Sequence, residues 1–242
     1  MEMPFERLEL QLGVEALEKV RQSNILVFGC GGVGGYVIEG LIRSGVENIT
    51  IVDGDNVARS NINRQIIALN DTVGRVKVDV MKERILSINP NVSIKTYNQF
   101  VLKDTINQFD FSQYDYIIDC IDTISTKIAI IEEATRLNIP MISAMGAGNK
   151  INPSMLLIDD IYKTKVDPLA KVMRHELKKR RIKKLKVAYS IEKPLKIELR
   201  INEESKKPIP SSSIFVPASM GLLIASEVIK DITGLRNDHK GV

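Results

Sequence analysis

A glycine-rich run carries the clearest chemical signal in the sequence. Gly29, Gly31, Gly32 and Gly34 stand in the order Gly-x-Gly-Gly-x-Gly directly after the apolar run 24–28. This spacing permits a tight turn, a close approach of phosphate to the backbone, and close packing of a following helix against a strand. Free N–H groups and the helix dipole favour an anion at such a turn. The run therefore predicts a binding site for nucleotide phosphates.

An acidic residue follows the glycine run at the distance expected of a ribose-binding group. Asp53 ends the next apolar run, 19 residues after Gly34, and is therefore placed for ribose hydroxyls. These features alone also fit NAD, so an NAD-dependent oxidoreductase is one alternative at this point.

Several polar side chains downstream favour ATP over NAD. Asp55 is followed by Asn61, Arg64 and Lys77, so cationic and amide groups gather after the ribose acid. Attack at phosphorus with pyrophosphate leaving spreads negative charge that Arg, Lys and a metal stabilise, whereas hydride transfer needs fewer cations. Asp122, just after the apolar run 116–120, is an oxygen ligand suited to Mg²⁺. We therefore expect ATP and Mg²⁺ as cofactors.

The elements that must position these residues alternate along the chain up to residue 148. Short apolar runs predict strands at 24–28, 48–53, 92–97, 115–119 and 141–144. Helical spacing predicts helices from Val33 to Ser44, at 77–87 and at 127–137. This alternation predicts an α/β fold: a Rossmann-like, doubly wound, mostly parallel sheet.

The pattern changes beyond Gly148 to short strands, a basic helix at 169–181 and an apolar helix at 219–232. We expect an ATP-binding adenylation domain over 1–148. A smaller basic portion over 149–242 would bind substrate and form a dimer, continuous with the same domain.

The basic charge is concentrated in one segment. Residues 163–207 hold 16 Lys and Arg against 6 Asp and Glu, although the whole chain has a net charge of only +4. Such a segment predicts contact with a polyanion, with a merely solvated helix face as the alternative. The candidate contact residues are Lys171, Arg174, Lys178, Lys179, Arg180 and Arg181.

The two cysteines exclude some classes of site. Cys30 and Cys120 form no Cys-x-x-Cys pair, so neither a four-cysteine zinc site nor a disulfide scaffold is expected. We expect both to be small core residues rather than nucleophiles. The first residues do not resemble a secretory signal, and prolines interrupt the longest uncharged run, 208–226. A cytoplasmic protein without a membrane span is expected.

Five motifs in order resemble the ubiquitin-activating-enzyme superfamily of adenylating enzymes. They are Gly-x-Gly-Gly-x-Gly, Asp-Gly-Asp, Ser-Asn-Ile-Asn-Arg-Gln, Val-Gly-x-x-Lys and Asp-Cys-Ile-Asp, between Gly29 and Asp122. The resemblance implies that Asp53 holds the ribose, Arg64 and Lys77 the ATP phosphates, and Asp122 the Mg²⁺, with Asn61 lining the same site. Arg7 resembles an arginine that reaches into the partner subunit's site, which implies a homodimer.

The second half narrows the resemblance. The stretches 151–154, 165–174 and 187–194 are similar to the group of tRNA threonylcarbamoyladenosine dehydratases, which use ATP to cyclise the threonylcarbamoyl group on adenosine 37 of tRNA. The loop 144–149 departs from that group, because Met145 and Asn149 stand where glycine is more usual. The resemblance implies tRNA as the polyanion.

Two further alternatives have different substrates. An adenylating enzyme acting on the C-terminal carboxylate of a small sulfur-carrier protein would use the same ATP residues. A non-catalytic nucleotide-binding or tRNA-binding module would use only part of them. Assays of AMP formation with each substrate separate these alternatives.

Overall fold

The computed structural model describes residues 5–198, 201 and 210–235. Within these ranges the strands are β1 (Asn24–Phe28), β2 (Asn48–Val52), β3 (Ser93–Tyr97), β4 (Tyr116–Asp119), β5 (Met141–Ala144), β6 (Leu156–Asp160) and β7 (Lys186–Ser190). The α-helices are α1 (Glu6–Leu12), α2 (Val14–Gln22), α3 (Gly34–Arg43), α4 (Lys77–Ile88), α5 (Ile124–Arg136), α6 (Pro168–Lys179) and α7 (Phe215–Thr233).

The described strands form one sheet in the order β3-β2-β1-β4-β5-β7-β6. All neighbours in it are parallel except β6 and β7, which are antiparallel. The expected α/β fold with a mostly parallel sheet is therefore confirmed. The chain leaves β1 toward β2 on one side and later returns to β4 on the other. In such folds ligands bind at this switch point, at the carboxyl ends of the strands.

Helices cover both faces of the sheet because its central strands are apolar on both sides. Ile25 and Val27 of β1 enter the core formed with α3, α4 and α7. Leu26 and Phe28 enter the opposite core, formed in part by α5. The alternation follows from the twofold repeat of side chains along a strand.

The second half of the chain extends the same sheet. β7 lies between β5 and the edge strand β6, and α7 packs closely along α3. That packing depends on glycine, since a methyl group at Gly221 would lie 2.5 Å from the Val33 carbonyl oxygen. In the part of the chain that the structure describes, no helix combines the length and apolar character needed to cross a bilayer.

Candidate active site

The glycine turn joins β1 to α3 at the carboxyl edge of the sheet, beside β4. Gly29 has φ +96°, and its N–H donates to the Val52 carbonyl at 2.8 Å. A methyl group at Gly34 would lie 1.8 Å from the Gly29 carbonyl oxygen, whereas one at Gly31 would find no protein atom closer than 3.9 Å. Gly34 is thus required for packing, and the space at Gly31 is open for a ligand.

Asp53 holds the glycine turn from the end of β2. Its Oδ2 accepts a hydrogen bond from the Cys30 backbone N–H at 2.7 Å, and its Oδ1 accepts one from the Asp55 N–H at 2.9 Å. The side chain is only 10% exposed. The carboxylate therefore lies within the turn, where each oxygen keeps a lone pair for another donor such as a ribose hydroxyl.

Lys77 joins the same site from the first turn of α4. Its side chain is 6% exposed, and its Nζ lies 2.7 Å from Asp55 Oδ2 and 3.9 Å from Asp53 Oδ1. The local fold supports this placement, since the Lys77 N–H donates to the Asp55 carbonyl at 3.0 Å. Three of the charged residues expected at the site, Asp53, Asp55 and Lys77, are therefore brought together as one ion-paired group.

Arg64 lies across the glycine turn on the following loop. Its Cγ is 3.6 Å from the position that a methyl group would take at Gly32. Its Nη1 donates to the Ser60 carbonyl at 2.8 Å and to Asn63 Oδ1 at 2.9 Å. Asn61 is buried, and its Oδ1 accepts from the Ala58 N–H at 3.1 Å, which shapes the loop that presents Arg64.

Asp122 lies on the segment that follows β4, close to the glycine turn. Its side chain is exposed, and Gly29 approaches the Cys120 carbonyl two residues earlier. No group of three His, Cys, Asp or Glu side chains within the described ranges is arranged to hold a metal. A lone carboxylate still fits Mg²⁺, because this ion usually takes one or two carboxylates together with substrate phosphates and water.

A buried ion pair supports the segment that carries Asp122. Lys127 Nζ lies 2.8 Å from Asp119 Oδ2, and both side chains are fully buried. The same ammonium donates to the Ile121 carbonyl at 3.0 Å and to the Ala144 carbonyl at 2.8 Å. Ser143 Oγ donates to Asp119 at 2.6 Å. This network joins the carboxyl ends of β4 and β5.

Two residues that line the glycine turn, Gln65 and Pro217, are not among those predicted from the sequence. Gln65 is 8% exposed, its amide nitrogen faces Gly31, and its Oε1 has no hydrogen-bond partner in the described structure. Its place beside Arg64 in the motif Ser-Asn-Ile-Asn-Arg-Gln is the sequence feature that could have indicated a role at the site. Pro217 lies 3.4 Å from the position of a methyl group at Gly32. No sequence signal placed α7 against the turn, because the contact joins residues far apart in the chain.

Arg7 lies away from the other site residues of its own chain. It is exposed on α1, where its neighbour Leu8 approaches Gly45 just beyond the end of α3. The glycine turn is at the opposite end of α3. With ten residues in α3 and a rise of about 1.5 Å per residue, these ends are about 15 Å apart.

The six residues predicted to contact a polyanion differ in their exposure and in their hydrogen bonds and ion pairs. Lys171 and Lys178 are exposed, whereas Arg174 donates to the Thr164 carbonyl at 3.0 Å and to its hydroxyl. Lys179 and Arg180 both pair with Glu176, at 2.8 and 2.7 Å. Arg181 is exposed just after α6. Within the basic segment, residues 199, 200 and 202–207 lie outside the described residues.

The cysteines are arranged as core side chains. Cys30 is fully buried, and Cys120 is largely covered beside it. Burial raises the pKa of both thiols, and the neighbouring carboxylates of Asp53 and Asp119 raise them further. Such thiols are poor nucleophiles because the thiolate is the reactive form.

A comparison with known protein families places these features in one family. The ThiF family matches residues 5–241 of the chain. The chain belongs to the ThiF family.

Relatives of this ThiF-family protein cover almost its whole length. It is 44% identical to the tRNA threonylcarbamoyladenosine dehydratase of Bacillus subtilis (strain 168), over 94% of each chain. The crystal structure of the E. coli tRNA N6-threonylcarbamoyladenosine dehydratase in complex with AMP matches with a TM-score of 0.87 and 32% identity, covering 96% of this chain and 94% of that one. The same E. coli enzyme in complex with ATP matches with a TM-score of 0.86 and 32% identity, at the same coverage. The resemblance inferred from the motifs is confirmed.

Proposed function

We propose that this protein is an ATP-dependent tRNA threonylcarbamoyladenosine dehydratase. The observation that carries the proposal is the glycine turn, with Asp53, Lys77 and Arg64 gathered around it and Asp122 on the adjoining segment. It occurs in a ThiF-family fold whose near full-length relatives carry that name. The reaction adenylates the threonyl carboxylate of N6-threonylcarbamoyladenosine at position 37 of tRNA and then closes a ring, releasing AMP and pyrophosphate.

The site residues fit ATP in distinct roles. The glycine turn offers backbone N–H groups at the N-terminus of α3, where phosphates bind well. Asp53 receives the ribose hydroxyls, and Arg64 and Lys77 stabilise the charge that develops as pyrophosphate leaves. Asp122 holds Mg²⁺, which neutralises phosphate charge when bound. Asn61 and Asp55 keep Arg64 and Lys77 in place through the contacts described above.

The chemistry needs no covalent enzyme intermediate. A carboxylate oxygen of the threonyl group attacks the α-phosphorus of ATP, the bond to the β-phosphate bridging oxygen breaks, and pyrophosphate leaves. The carbamoyl oxygen then attacks the acyl-adenylate carbonyl, AMP leaves with the former carboxylate oxygen, and the carbamoyl group gives up a proton. Two buried thiols with raised pKa values agree with this route.

Residues that point away from the site of their own chain would contact two partners, a second subunit and tRNA. Arg7 completes the site of a second subunit in a homodimer, because it lies too far from the turn of its own chain to serve it. Lys171, Arg174, Lys178 and Arg181 contact tRNA, whereas Lys179 and Arg180 stay paired with Glu176. The protein works in the cytoplasm, where its tRNA substrate is found.

One assay distinguishes this function from the alternatives. We expect Mg²⁺-dependent AMP formation that rises when tRNA carrying the modified adenosine is added. The control substrate is the same tRNA without the modification. The control enzyme is the Asp122→Asn variant, which lacks the expected Mg²⁺ ligand. AMP formation with a carrier protein alone would indicate the carrier-protein enzyme. An equal rate with both tRNAs would rule out the proposed substrate.

A further inference from the structure

The last two residues of α6 and most of its connection to β7 form the most basic short stretch that the structure describes. It comprises residues 178–184, and we call it the basic turn. Its cations are Lys178, Lys179, Arg180, Arg181, Lys183 and Lys184. None of its residues is aromatic.

The basic turn is fixed to the core by its one apolar residue and by the residue that follows it. Ile182 and Leu185 are 7% and 4% exposed and belong to the core beneath α6. The Ile182 carbonyl accepts from the Tyr162 hydroxyl, and the Leu185 N–H donates to Asp160 Oδ2 at 3.1 Å. Lys183 and Lys184, between these anchors, are exposed. The cations are therefore presented from a fixed backbone.

Acidic neighbours divide the six cations into two sets. Lys179 pairs with Glu176, and Arg180 pairs with Glu176 and, at 3.2 Å, with Glu132. Lys178, Arg181, Lys183 and Lys184 have no acidic side chain of the described residues within ion-pairing distance. Four positive charges thus remain available to an external anion, and two are largely neutralised.

The basic turn lies near the amino ends of the parallel strands, whereas the glycine turn lies at their carboxyl ends. The N-cap residue of α6, Asp167, lies beside Gly146 in the loop after β5, at the carboxyl edge. The helix then runs 12 residues, about 18 Å at 1.5 Å per residue. It ends near Lys186, where β7 starts at the amino edge.

We propose that the basic turn binds the phosphate backbone of a helical tRNA stem, while the nucleotide to be modified occupies the carboxyl edge. This inference rests on the proposed function. A stem offers closely spaced phosphates to Lys178, Arg181, Lys183 and Lys184, and phosphate contacts of this kind set affinity and position without reading sequence. Recognition of unpaired bases uses aromatic stacking, which the basic turn does not offer. The substrate adenosine lies in a loop, so its adjoining stem is the available helical partner.

Two double variants with the same change in charge test the proposal. Lys178→Ala/Lys183→Ala removes two available cations, and Lys179→Ala/Arg180→Ala removes the two paired ones. We expect the first to weaken tRNA binding about ten-fold near 0.1 M salt and to lower the slope of log K against log salt by about 2. The second should weaken binding less than the first, because Glu176 and Glu132 compete with phosphate for its two cations. ATP affinity should be unchanged in both.

A shortened substrate tests the role of the stem. The first variant should lose affinity for a modified hairpin with an intact stem, and it should bind an oligonucleotide of the loop alone as the wild type does. Equal losses in both double variants would mean that net charge, rather than the basic turn, attracts RNA. Unchanged binding in the first variant, or a preference of the turn for anionic vesicles over RNA, would overturn the proposal. A wild-type enzyme insensitive to modified tRNA would instead refute the proposed function.

Discussion

The carboxylate of Asp53 accepts a hydrogen bond from the backbone N–H of Cys30 at 2.7 Å, which ties the end of β2 to the glycine turn after β1. One side chain therefore shapes the turn and faces the place where the ribose is expected. Replacing it should therefore weaken ATP binding.

Asp53→Ala should weaken ATP binding about 10- to 100-fold, since hydrogen bonds to charged groups contribute about 1.5–3 kcal/mol each. Isothermal titration calorimetry with ATP measures the change. Asp104→Ala, at an exposed aspartate, is the control and should bind ATP normally. Unchanged affinity in the Asp53 variant would show that this carboxylate does not serve the nucleotide.

The two glycines of the turn should respond differently to alanine. A methyl group at Gly34 would lie 1.8 Å from the Gly29 carbonyl, so Gly34→Ala should prevent folding or lower the melting temperature strongly. Gly31→Ala has room within the protein and should fold normally, with at least about ten-fold weaker ATP binding because the methyl group takes the space of a phosphate. Thermal unfolding and ATP titration of both variants make the comparison. Normal ATP binding by Gly31→Ala would place the phosphates elsewhere.

The buried pair Lys127–Asp119 should be sensitive to the loss of one partner. Lys127→Met leaves the Asp119 carboxylate buried without its counter-ion, which costs about 3–5 kcal/mol of the free energy of unfolding. Adding Asp119→Asn should restore part of this loss, because the uncompensated charge is removed. Urea unfolding measures both variants against Lys82→Met on the exposed side of α4. A loss no larger than in that control would contradict a structural role for the pair.

The cysteines should be dispensable for chemistry. Burial raises the pKa of both thiols, so neither Cys30 nor Cys120 should react with iodoacetamide at pH 8 until the protein unfolds. Cys30→Ala and Cys120→Ala should each keep tRNA-dependent AMP formation within about three-fold of wild type, since neither thiol is an expected nucleophile. Complete loss of activity in a correctly folded variant would indicate a thioester intermediate.

Local features of the sequence were sufficient for the first half of the fold. The predicted strand at 24–28 is β1, and the predicted helix at 77–87 is α4 within one residue. Short-range patterns determine such elements, because apolar spacing and glycine act within a few residues of the chain. The same locality explains why the motif around Gly29 predicts a phosphate turn without knowledge of the packing around it.

Contacts between distant parts of the chain needed the tertiary structure. Nothing near Gly32 in the sequence indicates that Pro217 of α7 packs against it, nor that Asn63 Nδ2 donates to the Ser212 carbonyl at 2.8 Å. The availability of each cation in the basic turn also depends on Glu132, which comes from another helix. Sequence alone therefore determined the nucleotide turn, the sheet and the presence of a basic segment. Only the tertiary structure decided which charges are free and which edge of the sheet they occupy, because pairing and position depend on how distant elements pack.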